Sequence, residues 1–340
     1  MSEIGSEFWS VPTGEKENSV FSPETQWFIS GRSALRSIIS ELQGCHTVSI
    51  PSWCCESIVK PFTDAGMEVC FYPVIFDYGD IQKPGLNSDV LFIMDFFGFG
   101  SPVYDLSGYN GIVIRDVTHS IFSGNYSDAD YYFGSLRKWC GVWTGGFAWT
   151  KDHHRLITEQ DNDFGYVALR KEAMRLKQSY IDNGADNIGS VKEKYLKDFI
   201  SAETVLDKIN ILPAAERDVC ISRQLDIDFI RSRHRENAEL LFKAFHNWLI
   251  FKEIRPADCP MFVPVLVPDG KRDALRQYLI QNRIYCPVHW PISEYHRLTS
   301  IEQYIYDNEL SLICDQRYTK EDMHRLINTI NCFFAETSRC

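Results

Sequence analysis

Between Val90 and Met94 the chain reads Val-Leu-Phe-Ile-Met, an unbroken apolar run with Asp95 directly after it. A strand with no polar residue on either face belongs inside a sheet that is covered on both sides. Further short β-rich runs lie at 47–50, 69–74, 112–114, 131–133 and 146–150, set apart by turn residues and by stretches of helical periodicity. Short strands interleaved with helical segments predict an α/β fold, a mainly parallel sheet flanked by helices. The chain has no internal repeat and no low-complexity tract.

With 340 residues the chain suits one large domain with a smaller one attached. Hydrophobic residues make up 44% and charged ones 24%, the balance of an ordinary globular protein. No apolar run approaches the ~20 residues that a membrane helix requires, so no membrane partner is expected. The first residues lack the basic start and apolar block of a secretory signal, and the expected location is the cytoplasm. A net charge of −11 argues against a nucleic-acid partner. It does not exclude a local basic pocket for a phosphorylated small molecule. The 11 cysteines are odd in number and form no C-x-x-C, with Cys54 and Cys55 the only close pair, a pattern of reduced, mostly buried thiols.

Along the chain, Ala34, Leu35, Ile38, Ile39 and Leu42 fall at helical spacing behind Ser30 and Gly31, and Gly44 follows as a stop. A glycine-serine turn that opens a helix presents free N–H groups and the positive end of the helix dipole, and Gly31, Arg32 and Ser33 would admit and hold an anion there. The same turn is also a plain helix cap. A second helix is expected over 58–66, bent or restarted at Pro61. From Lys151 the character changes to long, charged helical sequence at 166–181, 191–208 and 222–249, with a break at 183–190. The third of these carries Arg231, Arg233, His234 and Arg235, read as solvated charge paired with acidic neighbours. After Pro256 a second α/β unit follows: a strand at 261–267, a turn at 268–270, a helix at 273–280, a strand at 285–288, then 310–314 and a helix at 320–333. The expected division is a large domain over 1–215 and a linking helix with a small C-terminal α/β domain over 216–340. His289, Trp290 and Tyr295 sit in a proline-rich loop of the latter, suited to closing over a cleft.

Two residues stand out because both follow apolar strands. Asp116 comes after Ile112, Val113 and Ile114; Lys138 comes after Tyr131, Tyr132 and Phe133. In open α/β sheets that edge is where ligands bind. An acid and a lysine there suit pyridoxal phosphate (PLP), whose aldehyde a lysine holds as a Schiff base and whose pyridine nitrogen an acid keeps protonated. On the pair alone, a turn aspartate and a surface lysine remain the competing account.

The segments that surround this pair follow a familiar order. The chain resembles the fold-type-I PLP-dependent aminotransferases, and among them the DegT-like group that aminates nucleotide-linked keto-sugars. Ser-Gly-Arg-Ser-Ala-Leu at 30–35 is similar to the group's phosphate-binding turn, and 50–62 to its segment beside the cofactor ring. Arg-Asp-Val-Thr-His at 115–119 resembles its Asp-x-x-His, and 133–146 its lysine segment, with Gly145 and Gly146 at the group's spacing from Lys138. The stretches 231–241, 287–292 and 318–330 resemble its linking helix, closing loop and final helix, so the likeness spans nearly the whole chain.

The resemblance implies that Lys138 is the Schiff-base lysine and general base, that Asp116 pairs with the pyridine nitrogen, and that His119 lies against the ring near its hydroxyl. It implies phosphate contacts from Gly31, Arg32, Ser33 and Ser135, with Trp53 and Cys55 beside the ring. Where the group carries a serine upstream of the lysine this chain has Phe133, and the nearest hydroxyl is that of Ser135. Where the group has a stacking aromatic, Cys54 and Cys55 stand next to Trp53, which leaves His119 and Trp53 as alternatives for that role. The implied activity is transfer of an amino group from an amino-acid donor, glutamate first, to a keto-sugar, by a homodimer. A PLP-dependent lyase, aldolase or dehydratase, or a catalytically silent regulator on the same fold, is the alternative. Ser135-x-x-Lys138 also spells an acyl-transfer motif, but the Ser-Asp-Asn and Lys-Thr-Gly strings that accompany it do not occur. No metal is expected, since His153 and His154 are adjacent and lack ligand spacing.

Overall fold

The computed structural model describes residues 3–74, 76–77, 80–81, 87–99, 106, 108–124, 129–159, 162–183 and 189–337. The turn that Phe-Phe-Gly-Phe-Gly-Ser-Pro at 96–102 predicts after Asp95 lies outside them from residue 100 on, as does 184–188 of the expected break. In chain order the first elements are β1 (Ile4–Gly5), β2 (Gln26–Phe28), α1 (Gly31–Ile39), β3 (Thr47–Pro51), α2 (Glu56–Asp64) and β4 (Glu68–Tyr72). Next come β5 (Phe76–Asp77), β6 (Asp80–Ile81), β7 (Val90–Met94), β8 (Ile112–Asp116), β9 (Tyr131–Ser135) and β10 (Gly146–Thr150). Helices α3 (Tyr166–Asp182), α4 (Gly189–Leu206), α5 (Glu216–Arg223) and α6 (Ile227–Ala244) follow. The last are β11 (Phe262–Leu266), α7 (Arg272–Gln281), β12 (Ile284–Tyr285), α8 (Ser300–Asn308), β13 (Glu309–Ile313) and α9 (Lys320–Thr337).

These elements form two compact units. The first takes Glu7–Gly44 and Asp130–Ile227, the second Glu3–Ser6, Cys45–Ala129 and the chain from Asp228 on. In the first, β10 lies between β2 and β9 and is antiparallel to both, with Gly146 opposite Phe28 on one side and Ser135 on the other. Helices α3 and α4 pack through Ala173, Met174, Tyr180, Tyr195 and Phe199. In the second unit β8, β7, β3 and β4 run parallel in that order. All of β7 is buried, as its unbroken apolar run requires. A separate core joins α6, α7 and α9 to the antiparallel pair β11 and β13 through residues such as Leu241, Val265, Leu279, Leu312 and Leu326. The architecture is the expected one, α/β with a mostly parallel central sheet flanked by helices.

Several details differ from the sequence reading. The helix expected over 222–249 is two, α5 and α6, because the backbone between them is taken by the N-terminal segment: Gly14 N–H donates to Gln224 O at 2.8 Å and Asp226 N–H to Pro12 O at 3.1 Å. The basic face of α6 does not mainly pair with acids. Arg231 donates to Phe122 O, Arg235 to the carbonyls of Arg255 and Asp258, and His234 is buried between Pro260 O and Gln316. Of the ten described cysteines only Cys54, Cys140, Cys259, Cys286 and Cys314 are buried, so half of the thiols are not.

Candidate active site

Lys138 ends a 3-10 turn, Leu136–Lys138, that follows β9 directly. Leu136 N–H donates to Gly145 O at 2.7 Å and Trp139 N–H to Leu136 O at 2.9 Å, while Leu136, Trp139 and Cys140 sink into the core. Lys138 itself is exposed. The glycine pair that follows has a physical cause in both members. Gly145 holds φ at +130°, which a side chain disfavours, and a Cβ on Gly146 would stand 2.0 Å from Ser30 O. Gly146 therefore lets the cap of α1 sit against β10.

Ser30 caps α1 by accepting from Ser33 N–H at 3.1 Å. A Cβ on Gly31 would lie 3.3 Å from the Cβ of Ser135. The first turn of α1, the positive end of its dipole, thus abuts the hydroxyl-bearing residue that precedes the lysine turn. Two neighbours are turned elsewhere. Arg32 pairs with Glu203 at 2.8 Å and with Asp207, and the Ser33 hydroxyl donates to Asn210 O at 2.6 Å.

The second unit carries the other group of expected residues. Asp116 is the last residue of β8, 6% exposed, and its Oδ1 accepts from Thr118 N–H at 2.8 Å. His119 is buried three residues on. Its Nδ1 accepts from Phe97 N–H at 3.2 Å, which leaves the ring proton on Nε2. The His119 ring stacks on Trp290 at 5.7 Å and 20° and stands 5.4 Å from Phe97. Trp53 is 1% exposed, stacked on Phe96 at 5.3 Å, and donates from Nε1 to His289 O at 2.7 Å. Cys55 caps α2, and its sulfur accepts from the Ser57 hydroxyl at 3.1 Å. Burial pushes the neighbouring Cys54 thiol well up, away from thiolate chemistry. His289 and Trp290 are buried and Tyr295 is half-buried.

Beneath Asp116 and His119 lies a network that the sequence reading missed. Arg115 donates from Nε and Nη2 to Asp95 Oδ1 at 3.1 and 2.8 Å, and the Ser120 hydroxyl donates to the other oxygen of Asp95. Arg115 and Asp95 are both almost fully buried. The register of β7 and β8 sets Met94 opposite Asp116, and Asp95 N–H then donates to Asp116 O at 3.1 Å. The signal was present: a charge inside Ile-Val-Ile-Arg-Asp and another at the end of an all-apolar strand must be paired if buried.

No protein-family model and no curated protein sequence matches the chain. Solved structures do. A DegT DnrJ EryC1 StrS aminotransferase from Brucella abortus aligns at TM-score 0.60 and 14% identity, covering 91% of this chain and 85% of that one. The chain has the fold of this enzyme. Sugar aminotransferase CalS13 from Micromonospora echinospora aligns at TM-score 0.59 and 15% identity over 91% of this chain and 87% of its own. The PLP-form of Spr1654 from Streptococcus pneumoniae aligns at TM-score 0.57 and 14% identity over 94% and 91%.

Proposed function

We propose that the chain is a PLP-dependent aminotransferase that moves an amino group from an amino-acid donor, glutamate first, to a keto-sugar, nucleotide-linked as in the group it resembles. One observation carries the reading. The first turn of α1, through Gly31, meets Ser135, and Lys138 stands three residues further on an exposed turn. An anion cradle beside a presented amine is what a phosphorylated aldehyde requires. The fold shared with a sugar aminotransferase and with the PLP-form of another protein supports it, though a fold alone hosts many chemistries.

The residue types suit the cofactor, each within its own unit. Gly31 N–H and the Ser135 hydroxyl would hold the phosphate, with Ser33 and the charge of Arg32, kept in place by Glu203, beside them. Asp116 would accept from the ring nitrogen, and His119 would lie near the ring hydroxyl with Nε2–H as a donor. Trp53, stacked on Phe96, and Cys55, at the head of α2, would wall the site. When bound, PLP supplies an aldehyde carbon for the amino group and a protonated ring that withdraws electrons. Lys138 Nζ would take the proton from the donor's α carbon and return one. A charged Asp116 carboxylate would favour the protonated ring nitrogen. In this reading residues 1–215 form the cofactor-binding part, 216–340 the smaller one, and the working unit is a homodimer.

The deciding measurement is the absorption spectrum with added PLP. The expected outcome is a yellow band that bleaches with L-glutamate and is absent in Lys138→Ala. A band indifferent to amino donors would move the reading to another PLP reaction, and failure to develop any band would end it.

A further inference from the structure

Three arginines from three elements converge on one carboxylate in the first unit. Glu203, on α4, accepts from Arg32 Nη2 at 2.8 Å and from Arg137 Nη2 at 2.5 Å, and stands 3.8 Å from Arg170 Nη1. Arg32 belongs to the first turn of α1, Arg137 immediately precedes Lys138, and Arg170 lies on α3, 1% exposed. Tyr166 completes the clamp: its hydroxyl accepts from Arg137 Nη1 and donates to Trp143 O at 3.0 Å. The lysine turn is thereby gripped before and after Lys138.

This arrangement is not the most economical way to pack α4. Arg137 and Arg170 each bury an Nε without a partner among the described residues, a cost that tighter apolar packing would avoid. The arginines outweigh desolvation at Glu203 and Glu7, whose side chains are 40% and 43% exposed, and hold both carboxyls below their ordinary range, with Lys138 among the cations that contribute. Glu203 therefore stays ionised. The parts that it ties together, the first turn of α1 and the turn that bears Lys138, are those that must keep register if an anion and an amine are to act on one ligand.

The geometry points to Glu203 as a positioning residue for Lys138: through Arg137 and Arg32 it fixes the lysine turn against the first turn of α1. It rests on the reading of Lys138 as the reacting amine. The test has a readout that needs no cofactor, hydrogen exchange at the amides of Leu136, Trp139 and Cys140, which close the turn. Glu203→Ala is expected to speed their exchange about tenfold, the effect of roughly 1.4 kcal/mol in local opening, and Glu203→Asp to recover part of it. The yellow band with PLP should develop more slowly in the same order. Equal exchange and equal rates in wild type, Glu203→Ala and Glu203→Asp would overturn the assignment. If Glu203→Ala does not fold, Arg137→Lys, which shortens one arm of the clamp, is compared with wild type on the same two readouts. A wild type that never turns yellow while the exchange differences hold would leave Glu203 in its role and refute the PLP reading instead.

Discussion

In the proposed reaction Lys138 and Asp116 would face opposite requirements at the scale of single residues: the lysine would lose and regain a proton, and the aspartate would keep its charge. Lys138→Ala removes the only side chain proposed to move the donor's α proton, and glutamate-dependent turnover should fall at least ~1,000-fold. Stopped-flow absorbance of the first half-reaction reads this directly. Asp116→Asn is the complementary change. The amide oxygen still accepts from Thr118 N–H, so the turn after β8 survives, but the charge proposed to keep the ring nitrogen protonated is gone. Turnover should drop by about 100-fold or more with PLP still bound and the melting temperature little changed. Wild-type activity in Asp116→Asn would remove that residue from the mechanism.

Among the elements, the tightest fit is that of α1 onto β10. Gly146→Ala would put a Cβ 2.0 Å from Ser30 O and 2.1 Å from Ser30 C, and the Ser30 carbonyl is already held by Ala34 N–H at 3.1 Å. Backbone cannot give way as a side-chain tip can, so we expect a loss of about 2 kcal/mol or more in urea unfolding, with weaker PLP binding. Asp95→Asn tests the other edge: it strips the buried Arg115 of its countercharge and should cost about 3 kcal/mol. How far the sequence revealed these elements depends on where their stabilising groups lie in the chain. Strands β3, β4, β7, β8, β9 and β10 were legible because runs such as Val90 to Met94 carry their own burial in their composition. Strand β2 was not, since three residues, Gln-Trp-Phe, give no alternation to read. Helix α8 was missed although Thr299 and Glu302 form a capping box, a local signal that was there to be read. The break between α5 and α6 had no local signal, because it depends on hydrogen bonds from residues 12–14. The same holds at the candidate site. Lys138, Ser135 and Gly31 could be picked out by type and order, whereas Glu203, far along the chain on α4, is drawn in only by the folded backbone.

For the molecule as a whole, the dependence of stability on pH turns on a few carboxyls with opposite signs. The buried Asp315 is raised by burial and lowered more by Arg317, and arginine also lowers the partly exposed Glu203 and the exposed Glu7, so their contribution is present above the ordinary carboxylate range and is lost in acid. Glu309 is the opposite case. It is fully buried in β13, accepts from the Ser311 hydroxyl at 2.5 Å and from His289 N–H at 2.8 Å, and burial pushes it up to about 8 against both. Unfolded, the same carboxyl titrates near 4.5, so folding takes up a proton between the two values. Its share of stability is complete below about 4.5 and disappears as pH rises through about 8. The wild-type protein should therefore lose stability on the alkaline side, on the order of 5 kcal/mol in unfolding free energy, with a matching fall in melting temperature. Glu309→Gln keeps the shape and both hydrogen-bonding partners but cannot ionise. It should flatten the decline between pH 5 and 9 while leaving the acid limb, set by the arginine-paired carboxyls, where it was. His154, held protonated by Glu41 and Asp152 at the surface, also favours the lower pH but is common to both proteins and cancels in their difference. A variant that melts in parallel with wild type across that range would mean that Glu309 keeps its charge in the fold, and that the loop at His289 rests on a carboxylate instead of a carboxylic acid.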